Sequence, residues 1–224
     1  MFVKICGLTT EQDALLSIAV GADAVGFVFA PSTRQVNAVR VADIVKRLPP
    51  GVMTVGVFRN EVPSRIISIV NQTGLNAVQL HGNETPAMVA ECKRDVRTVF
   101  KAVVAGSEAF ERANDFGADA ILVDAPSPGS GQMFDWRLAE DAPVSVPLIM
   151  AGGLRPTNVA EAIGKVGPWG VDVSSGVERS PGVKDPILMR DFIAAARSLD
   201  EVPFESPEPI GNEPYNWQED TTWR

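Results

Sequence analysis

The sequence predicts an α/β fold, a single (β/α)8 TIM barrel followed by an acidic, Pro-rich C-terminal extension. Short apolar segments alternate with helical patterns at a period of about 25 residues. Most of these segments are rich in Val, Ile or Phe, which is typical of parallel strands that are buried on both faces. Glycine-rich and polar residues follow many of the segments, whereas an open doubly wound sheet, the competing fold, would gather its ligand contacts at one switch point. The barrel is therefore the favoured architecture.

Eight apolar segments predict the strands, at residues 2–6, 24–29, 53–58, 77–81, 98–103, 120–124, 147–151 and 170–174. Eight helical patterns follow them in turn, at residues 10–20, 39–47, 63–72, 86–93, 107–116, 135–140, 156–164 and 185–198. Thr10 is a candidate N-cap of the first helix, and Asp185 with Pro186 opens the last one. The turn at residues 21–24, Gly-Ala-Asp-Ala, returns at residues 117–120, which indicates a trace of internal repetition.

The chain divides into a catalytic barrel domain at residues 1–199 and an acidic tail with aromatic residues at 200–224. Of the net charge of −8, the tail carries −6, from seven acidic residues and one basic residue, which leaves −2 for the barrel. A near-neutral barrel with no basic stripe argues against nucleic acid as a partner. Four prolines among the acidic residues of the tail predict a flexible extension.

The expected compartment is the cytoplasm. No apolar run approaches the roughly 18 residues of a membrane span, which argues against a membrane partner. The first residues lack the basic and apolar regions of a signal peptide. A disulfide between Cys6 and Cys92 is not expected in that compartment. The sequence leaves open whether the protein is a monomer or a homodimer.

Cys6 is the first candidate for chemistry, because it closes the first predicted strand and therefore faces the mouth of the barrel. The period of a strand places Lys4 on the same inner face, one layer below. A nearby ammonium group lowers the pKa of a thiol and populates the thiolate, so Cys6 is a candidate base. The alternative is a small buried hydrophobic residue. Because buried charges need partners, Lys4 is itself predicted to pair with Asp172 on the adjacent last strand.

Asp124 ends the sixth predicted strand, after an apolar run. A carboxylate at the catalytic end of a barrel strand indicates a functional group, and a helix cap or a partner for a base is the alternative. The first and sixth strands are three steps apart in a ring of eight. Cys6 and Asp124 can therefore face each other across a small substrate, as an acid–base pair must.

Two loops predict a site for the phosphate group of a small-molecule substrate. Gly152 and Gly153 follow the seventh strand, and Ser174, Ser175 and Gly176 follow the eighth. The loops after these two strands form the usual phosphate site of such barrels. Glycine allows backbone amides to approach the anion, and a helix N-terminus adds a favourable dipole.

Two more polar residues follow strands at the predicted mouth. Arg34, after the second strand, can bind a carboxylate through both arms of its guanidinium, or it is a solvated surface residue. His81, the only histidine, follows the fourth strand and is a candidate substrate-binding residue. A single histidine cannot build a multi-histidine metal site, and no metal is expected.

Taken together, these segments resemble those of the phosphoribosylanthranilate isomerase family. The matching motifs are KICGLT at 4–9, FxxSxR at 29–34, QLHG at 79–82, LVD at 122–124, FDW at 134–136, AGGLRPTNV at 151–159 and VDVSSGVE at 171–178. They occur in order and mostly at predicted strand ends. The loop at 126–132 departs from the GGTG-like run of the family but keeps two glycines, so a working lid is expected there.

The resemblance implies an isomerase of tryptophan biosynthesis that uses no metal or organic cofactor. The implied reaction is the Amadori rearrangement of N-(5-phosphoribosyl)anthranilate to 1-(2-carboxyphenylamino)-1-deoxyribulose 5-phosphate. By resemblance, Asp124 is the general acid, Cys6 is the general base and Arg34 contacts the anthranilate carboxylate. The glycine and serine residues of the two loops would hold the phosphate.

Two other functions remain open. The related histidine-pathway isomerase performs the same rearrangement on a larger substrate with two phosphates, but it uses aspartates at both catalytic positions, so Cys6 argues against it. A non-catalytic module that binds a phosphate ligand, with the tail at 200–224 as its interaction element, is the other alternative. The presence of both Cys6 and Asp124 argues against that alternative.

Overall fold

A computed structural model of the chain describes residues 1–125, 136 and 144–198. The predicted lid at 126–132 and the tail at 200–224 lie outside the described residues, as does the predicted helix at 135–140 apart from Trp136. The division of the chain at residue 199 therefore stays a prediction.

Eight parallel strands close into a barrel in chain order, which confirms the predicted architecture over the open sheet. The barrel strands are β1 (Phe2–Ile5), β2 (Ala24–Val28), β3 (Met53–Phe58), β4 (Ala77–Leu80), β5 (Thr98–Val104), β6 (Ala120–Asp124), β7 (Leu148–Met150) and β8 (Gly170–Val173). The seam is closed by β1 and β8, whose register sets Lys4 beside Asp172.

The helices of the described residues are α1 (Glu11–Ala19), α2 (Ala38–Val45), α3 (Pro63–Thr73), α4 (Pro86–Cys92), α5 (Glu108–Glu111), α6 (Val159–Val166) and α7 (Pro186–Arg197). Short 3₁₀ turns span Ala113–Phe116 and Ser175–Val177. The predicted caps are confirmed: Thr10 accepts a hydrogen bond from the amide of Asp13, and Asp185 accepts from Ile187 and Leu188. Among the described helices, none is long and apolar enough to span a membrane.

Two predicted helices differ from the structure. The pattern at 107–116 is divided into α5 and a 3₁₀ turn. The helix expected from residue 156 begins only at Val159, because the side chain of Asn158 accepts a hydrogen bond from the amide of Arg155 and donates one to the carbonyl of Gly153. These two bonds fold the segment before α6 into a turn instead of a helical start.

The repeated turn places the same hydrogen bonds at two points of the barrel. Asp23 accepts from the amide of Val3 at 2.8 Å, and its own amide donates to the carbonyl of Val3 at 2.9 Å. Asp119 does the same with Val99, at 2.8 Å in both directions. Each aspartate lies just before a strand and binds the start of that strand to the preceding strand of the barrel. Asp23 joins β2 to β1, and Asp119 joins β6 to β5.

The core has two layers. The larger one lies between the barrel and the helices, and the smaller one fills the barrel interior. The interior layer consists of Ala24, Val55, Ala77, Phe100, Ala102, Ala120, Leu122, Ile149 and Ala151. Small residues on most strands leave room for the few large ones, so the barrel is a packed core below the mouth.

A hairpin that the sequence did not predict follows β8. It pairs β9 (Glu178–Ser180) with β10 (Val183–Lys184) in antiparallel fashion. Only two or three residues form each strand, so no apolar period announces it. The hairpin carries Glu178 and Lys184 to the edge of the barrel mouth, where both enter the site described below.

A second buried ion pair fixes the loop after β4. Lys101 is 1% exposed and Glu84 is 2% exposed, and their charged atoms lie 3.1 Å apart. Glu84 also accepts from the amides of Asn60 and Gly82, at 2.7 and 2.9 Å. Lys101 donates to the carbonyl of Gly82 at 2.7 Å. The buried ammonium of Lys101 is thus fully bonded.

Glu84→Gln is expected to lower the free energy of unfolding by about 3 kcal/mol, because it leaves the Lys101 ammonium buried without a counter-charge. Glu11→Gln removes an exposed partner of Arg47 and is expected to cost less than about 1 kcal/mol. Urea denaturation of the two variants measures the difference. Equal losses would contradict a structural role for the buried pair.

Candidate active site

A cavity of about 200 Å³ opens at the carboxyl ends of the barrel strands. All of the residues that the sequence singled out for the site line it: Cys6, Arg34, His81, Asp124, Gly152, Gly153, Ser174, Ser175 and Gly176. They come together because the carboxyl ends of all strands of a parallel barrel meet at one mouth. Their individual roles stay predictions.

The Cys6 side chain lies at the top of β1, in a space that a glycine on β2 provides. The amide of Cys6 still donates to the carbonyl of Val173 at 2.8 Å, which holds the residue against the last strand. A Cβ atom at Gly26 would lie only 2.9 Å from the Cys6 sulfur and 3.2 Å from Cε of Lys4. Glycine at position 26 is therefore required for the thiol and the lysine to lie side by side.

Lys4 pairs with Asp172 as predicted. Its Nζ donates to Oδ1 of Asp172 at 2.9 Å, and the lysine is completely buried. Burial lowers the pKa of a lysine, but the charge and the hydrogen bond of Asp172, together with smaller contributions from Cys6, outweigh burial and raise the pKa of Lys4 above its ordinary value. Lys4 therefore stays cationic in the neutral range.

The expected lowering of the Cys6 pKa is wrong for the ligand-free site. Burial raises the pKa of the Cys6 thiol above its ordinary value, although the charges of Lys4 and Lys184 act in the opposite direction. The negative charge of Asp172 adds to the effect of burial. The sequence-based expectation weighed the ammonium of Lys4 but neither the burial of the thiol nor the effect of the Asp172 charge on it. A thiolate here thus depends on both lysines and on further positive charge.

Arg34 is held by a carboxylate of the chain itself. Its Nε and Nη2 donate to the two carboxylate oxygens of Glu178, both at 2.7 Å, and these bonds raise the pKa of Arg34. Burial opposes ionisation of Glu178, but the bonds from Arg34 and the charge of Lys184 lower its pKa overall. Lys184 donates to Glu178 at 2.9 Å and to the carbonyl of Ser174 at 3.0 Å. The arginine side chain is 15% exposed and lines the cavity.

Asp124 is connected to His81 and, through it, to Gln79. Nε2 of His81 lies 3.1 Å from Oδ2 of Asp124, and Nδ1 lies 2.8 Å from Nε2 of Gln79. The amide of Ala125 donates to the other oxygen of Asp124 at 2.8 Å. His81, predicted only as a substrate-binding residue, thus contacts the candidate acid directly.

The two predicted phosphate loops approach so closely that their glycines cannot carry a side chain. Gly152 has φ +81°, and a Cβ atom there would lie 2.5 Å from the amide nitrogen of Ala125 and 2.9 Å from Oδ1 of Asp124. A Cβ atom at Gly176 would lie 1.8 Å from the carbonyl oxygen of Leu154. The loops after β7 and β8 are therefore packed against each other and against the candidate acid.

Sequence reasoning missed Gln79, Glu178, Lys184 and Arg59 as residues of the site. Gln79 lies two residues before His81, so the two side chains are expected on the same face of the strand. This spacing could have identified Gln79 from the sequence. Glu178 ends the motif at 171–178, but its contact with Lys184 depends on the unpredicted hairpin. Arg59 lines the cavity from the segment after β3. Within residues 1–125, 136 and 144–198, no group of three or more His, Cys, Asp or Glu residues is arranged to hold a metal ion.

Fold and cavity together define a (β/α)8-barrel enzyme of the class that acts on small phosphorylated molecules. A family model described as N-(5'-phosphoribosyl)anthranilate (PRA) isomerase matches residues 3–195. A relative of that name from Desulforudis audaxviator is 45% identical over 199 residues, which cover 87% of this chain and 97% of the relative. The chain therefore belongs to the N-(5'-phosphoribosyl)anthranilate isomerase family and is an isomerase of tryptophan biosynthesis.

Solved structures of the family agree with this assignment. The phosphoribosyl anthranilate isomerase from Thermus thermophilus has a TM-score of 0.84 at 37% identity, covering 89% of this chain and all of that one. A second structure of such an isomerase was solved in complex with reduced 1-(o-carboxyphenylamino)-1-deoxyribulose 5-phosphate. Its TM-score is 0.79 at 42% identity, with 88% of this chain and 98% of that one covered.

The pH dependence of thiol alkylation tests the raised pKa of Cys6. In a Cys92→Ala variant, iodoacetamide is expected to react with Cys6 slowly at pH 7 and progressively faster above pH 9, because only the thiolate reacts. The ordinary pKa of a cysteine thiol is taken as 9.0, and the pH at which the alkylation rate is half-maximal is expected to lie above that value. A cysteine-containing peptide measured in parallel is the reference. A Cys6 rate that already reaches its plateau at pH 7 would contradict the raised pKa.

Proposed function

We propose that the chain rearranges N-(5-phosphoribosyl)anthranilate to 1-(2-carboxyphenylamino)-1-deoxyribulose 5-phosphate with Asp124 as general acid and Cys6 as general base. The observation that carries these roles is that one cavity holds a carboxyl group, a thiol and two glycine–serine loops. The substrate has a ring oxygen to protonate, a C2 hydrogen to remove and a phosphate to bind. The cavity offers one group for each of these tasks.

In the first step Asp124 gives its proton to the ring oxygen of the ribose. The bond from C1 to that oxygen breaks, and the lone pair of the anthranilate nitrogen forms a C1–N double bond. The ring opens to a protonated Schiff base. Asp124 is 6% exposed and is held by the amide of Ala125 and by His81, so its carboxyl group is fixed in direction.

In the second step the Cys6 thiolate removes the proton from C2, which the neighbouring iminium has made acidic. The electrons of that bond form the C1–C2 double bond of an enolamine, and the π electrons of the C1–N double bond return to the nitrogen as a lone pair. Gain of a proton at C1 and loss of the proton from the C2 hydroxyl then give the ketone. The iminium is a cation next to the sulfur, and it adds to Lys4 and Lys184 in favouring the thiolate against the effect of burial.

Substrate recognition is assigned to the two loops and to Arg34. Gly152, Gly153 and Ser174 to Gly176 would hold the phosphate through backbone amides and hydroxyl groups. Arg34 would contact the anthranilate carboxylate with the N–H groups that Glu178 does not use. Glu178 thereby fixes the guanidinium plane before the substrate arrives, which reduces the ordering cost of binding.

We retain three further predictions for this chain. The residues implied by the reaction need no metal or organic cofactor. The expected compartment of a biosynthetic isomerase is the cytoplasm, and the expected assembly is a monomer or a homodimer.

Cys6→Ser and Asp124→Asn are each expected to lower kcat by on the order of 10²–10⁴ while the protein stays folded, because each removes one proton-transfer group and keeps its volume. Loss of anthranilate-type fluorescence on freshly generated substrate measures turnover, and thermal melting measures folding. Cys92→Ser is the matched control, since Cys92 is also buried, on α4, and does not line the cavity. Turnover by Cys6→Ser equal to that of wild type would contradict its role as the base.

Arg34→Lys is expected to raise KM about tenfold or more with a smaller change in kcat, because a lysine cannot form the two-armed contacts of a guanidinium. The exposed Arg40→Lys serves as the control and is expected to leave KM unchanged. Steady-state kinetics on the same substrate measures both. A KM unaffected at position 34 would remove Arg34 from substrate recognition.

A further inference from the structure

We propose that Gln79, His81 and Asp124 form a hydrogen-bonded chain in which the orientation of the Gln79 side-chain amide sets the tautomer of His81 and thereby the proton content of Asp124. In this inference Gln79 is a positioning residue, because it acts on the acid through His81. The inference rests on the proposed role of Asp124 as general acid.

The geometry connects the three side chains without a gap. Nε2 of Gln79 lies 2.8 Å from Nδ1 of His81, and Nε2 of His81 lies 3.1 Å from Oδ2 of Asp124. Gln79 is 1% exposed and Asp124 is 6% exposed, so water competes little for either end. All three residues line the substrate cavity.

The orientation of Gln79 in the structure corresponds to an acid that has lost its proton. A Gln79 amide nitrogen that donates to Nδ1 makes Nδ1 an acceptor, so the neutral imidazole carries its hydrogen on Nε2. Nε2–H then donates to Asp124, whose other oxygen already accepts from the amide of Ala125 at 2.8 Å. Both carboxylate oxygens accept in this state, which suits the ionised form and not a general acid that is ready to donate.

An unsatisfied atom of Gln79 indicates that a second orientation is close in free energy. Oε1 of Gln79 is buried and has no hydrogen-bond partner within the described part of the chain. A half-turn of the amide brings Oε1 to Nδ1 and leaves the amide nitrogen unsatisfied instead. Because each orientation leaves one amide atom without a partner, the amide itself favours neither strongly.

The second orientation holds the proton that the reaction requires. Oε1 accepts only, so Nδ1 of His81 must carry a hydrogen, and the bare Nε2 of a neutral imidazole accepts from protonated Asp124. When Asp124 gives its proton to the ring oxygen, the three hydrogen-bonded side chains together lose one proton. The remaining imidazole proton then exchanges through water in the open cavity from Nδ1 to Nε2, and the amide turns back. After product release, uptake of a proton from water at Nδ1 and transfer of the Nε2 proton to Asp124 return the amide to the second orientation, with Asp124 protonated again.

The chain offers a direct measurement of the tautomer, because His81 is its only histidine. Nitrogen-15 histidine labelling with two-bond nitrogen–hydrogen correlation spectra distinguishes hydrogen on Nδ1, on Nε2 or on both. In Gln79→Leu, no partner remains at Nδ1, so the contact with Asp124 alone sets the tautomer of His81. Hydrogen on Nε2 is therefore expected. In Gln79→Glu, the carboxylate only accepts, so hydrogen on Nδ1 is expected.

The kinetic expectation separates positioning from folding and from binding. Gln79→Leu is expected to lower kcat about tenfold with KM within twofold of wild type, since the acid is harder to load while the substrate contacts remain. Gln79→Glu keeps the shape of the side chain and is also expected to lower kcat, because a carboxylate that holds hydrogen on Nδ1 prevents the return of that proton to Nε2 in the cycle; it serves as the second variant if the leucine variant unfolds. Gln35→Leu, which removes an exposed amide bonded to the carbonyl of Phe29, is the matched control. It is expected to change neither the His81 spectrum nor kcat.

The inference is overturned if the His81 spectrum is the same in wild type, Gln79→Leu and Gln79→Glu. It is also overturned if both folded Gln79 variants keep the wild-type kcat. Those outcomes leave the proposed reaction standing, provided that the wild type turns over the substrate and Asp124→Asn does not. Full turnover by Asp124→Asn would instead remove the acid role itself, whatever the Gln79 variants do.

Discussion

A buried ion pair between Lys4 and Asp172 lies at the seam where the barrel closes. The register of β1 on β8 sets the two residues side by side, and their charged atoms are 2.9 Å apart with the lysine wholly buried. Burying either charge alone would cost several kcal/mol, so each residue requires the other. A slip of one residue along the seam would separate them and turn β1's inner face outward. The pair therefore specifies how the ring closes as well as what lies beneath Cys6.

The same pair governs the electrostatics of the thiol. Lys4 stabilises the thiolate, but burial, which is the largest effect, and the negative charge of Asp172 both oppose it, so Cys6 has a raised pKa in the ligand-free cavity. Lys184, brought by the β9–β10 hairpin, supplies a second cation. A positive charge on a bound ligand would add to the two lysines in favouring the thiolate over the effect of burial. The hairpin also delivers Glu178, so one short element sets both the thiol environment and the direction of Arg34.

The side of the cavity that holds Asp124 depends on a different set of buried hydrogen bonds. Glu84 and Lys101 fasten the backbone on either side of His81, through the amide and carbonyl of Gly82 and the carbonyl of Leu80. His81 in turn contacts Asp124, and Gly152 leaves room for that carboxyl group. The candidate acid and the candidate base thus have separate supports, one around β4 and β5 and the other at the β1–β8 seam. A substitution that breaks one of these sets of contacts need not disturb the other set.

The sequence by itself determined the barrel, because eight apolar segments each followed by a helical pattern have one closed arrangement that buries them all. It also determined which residues meet at the mouth, since strand ends such as Cys6 and Asp124 share one edge of a parallel barrel. Parity along β1 and the adjacency of the first and last strands were enough to pair Lys4 with Asp172. Tertiary structure decided the sign of the Cys6 pKa shift, the bonds from Arg34 to Glu178 and the contact of His81 with Asp124. These features depend on burial and on distances between segments far apart in the chain, and no local pattern of residues encodes either quantity.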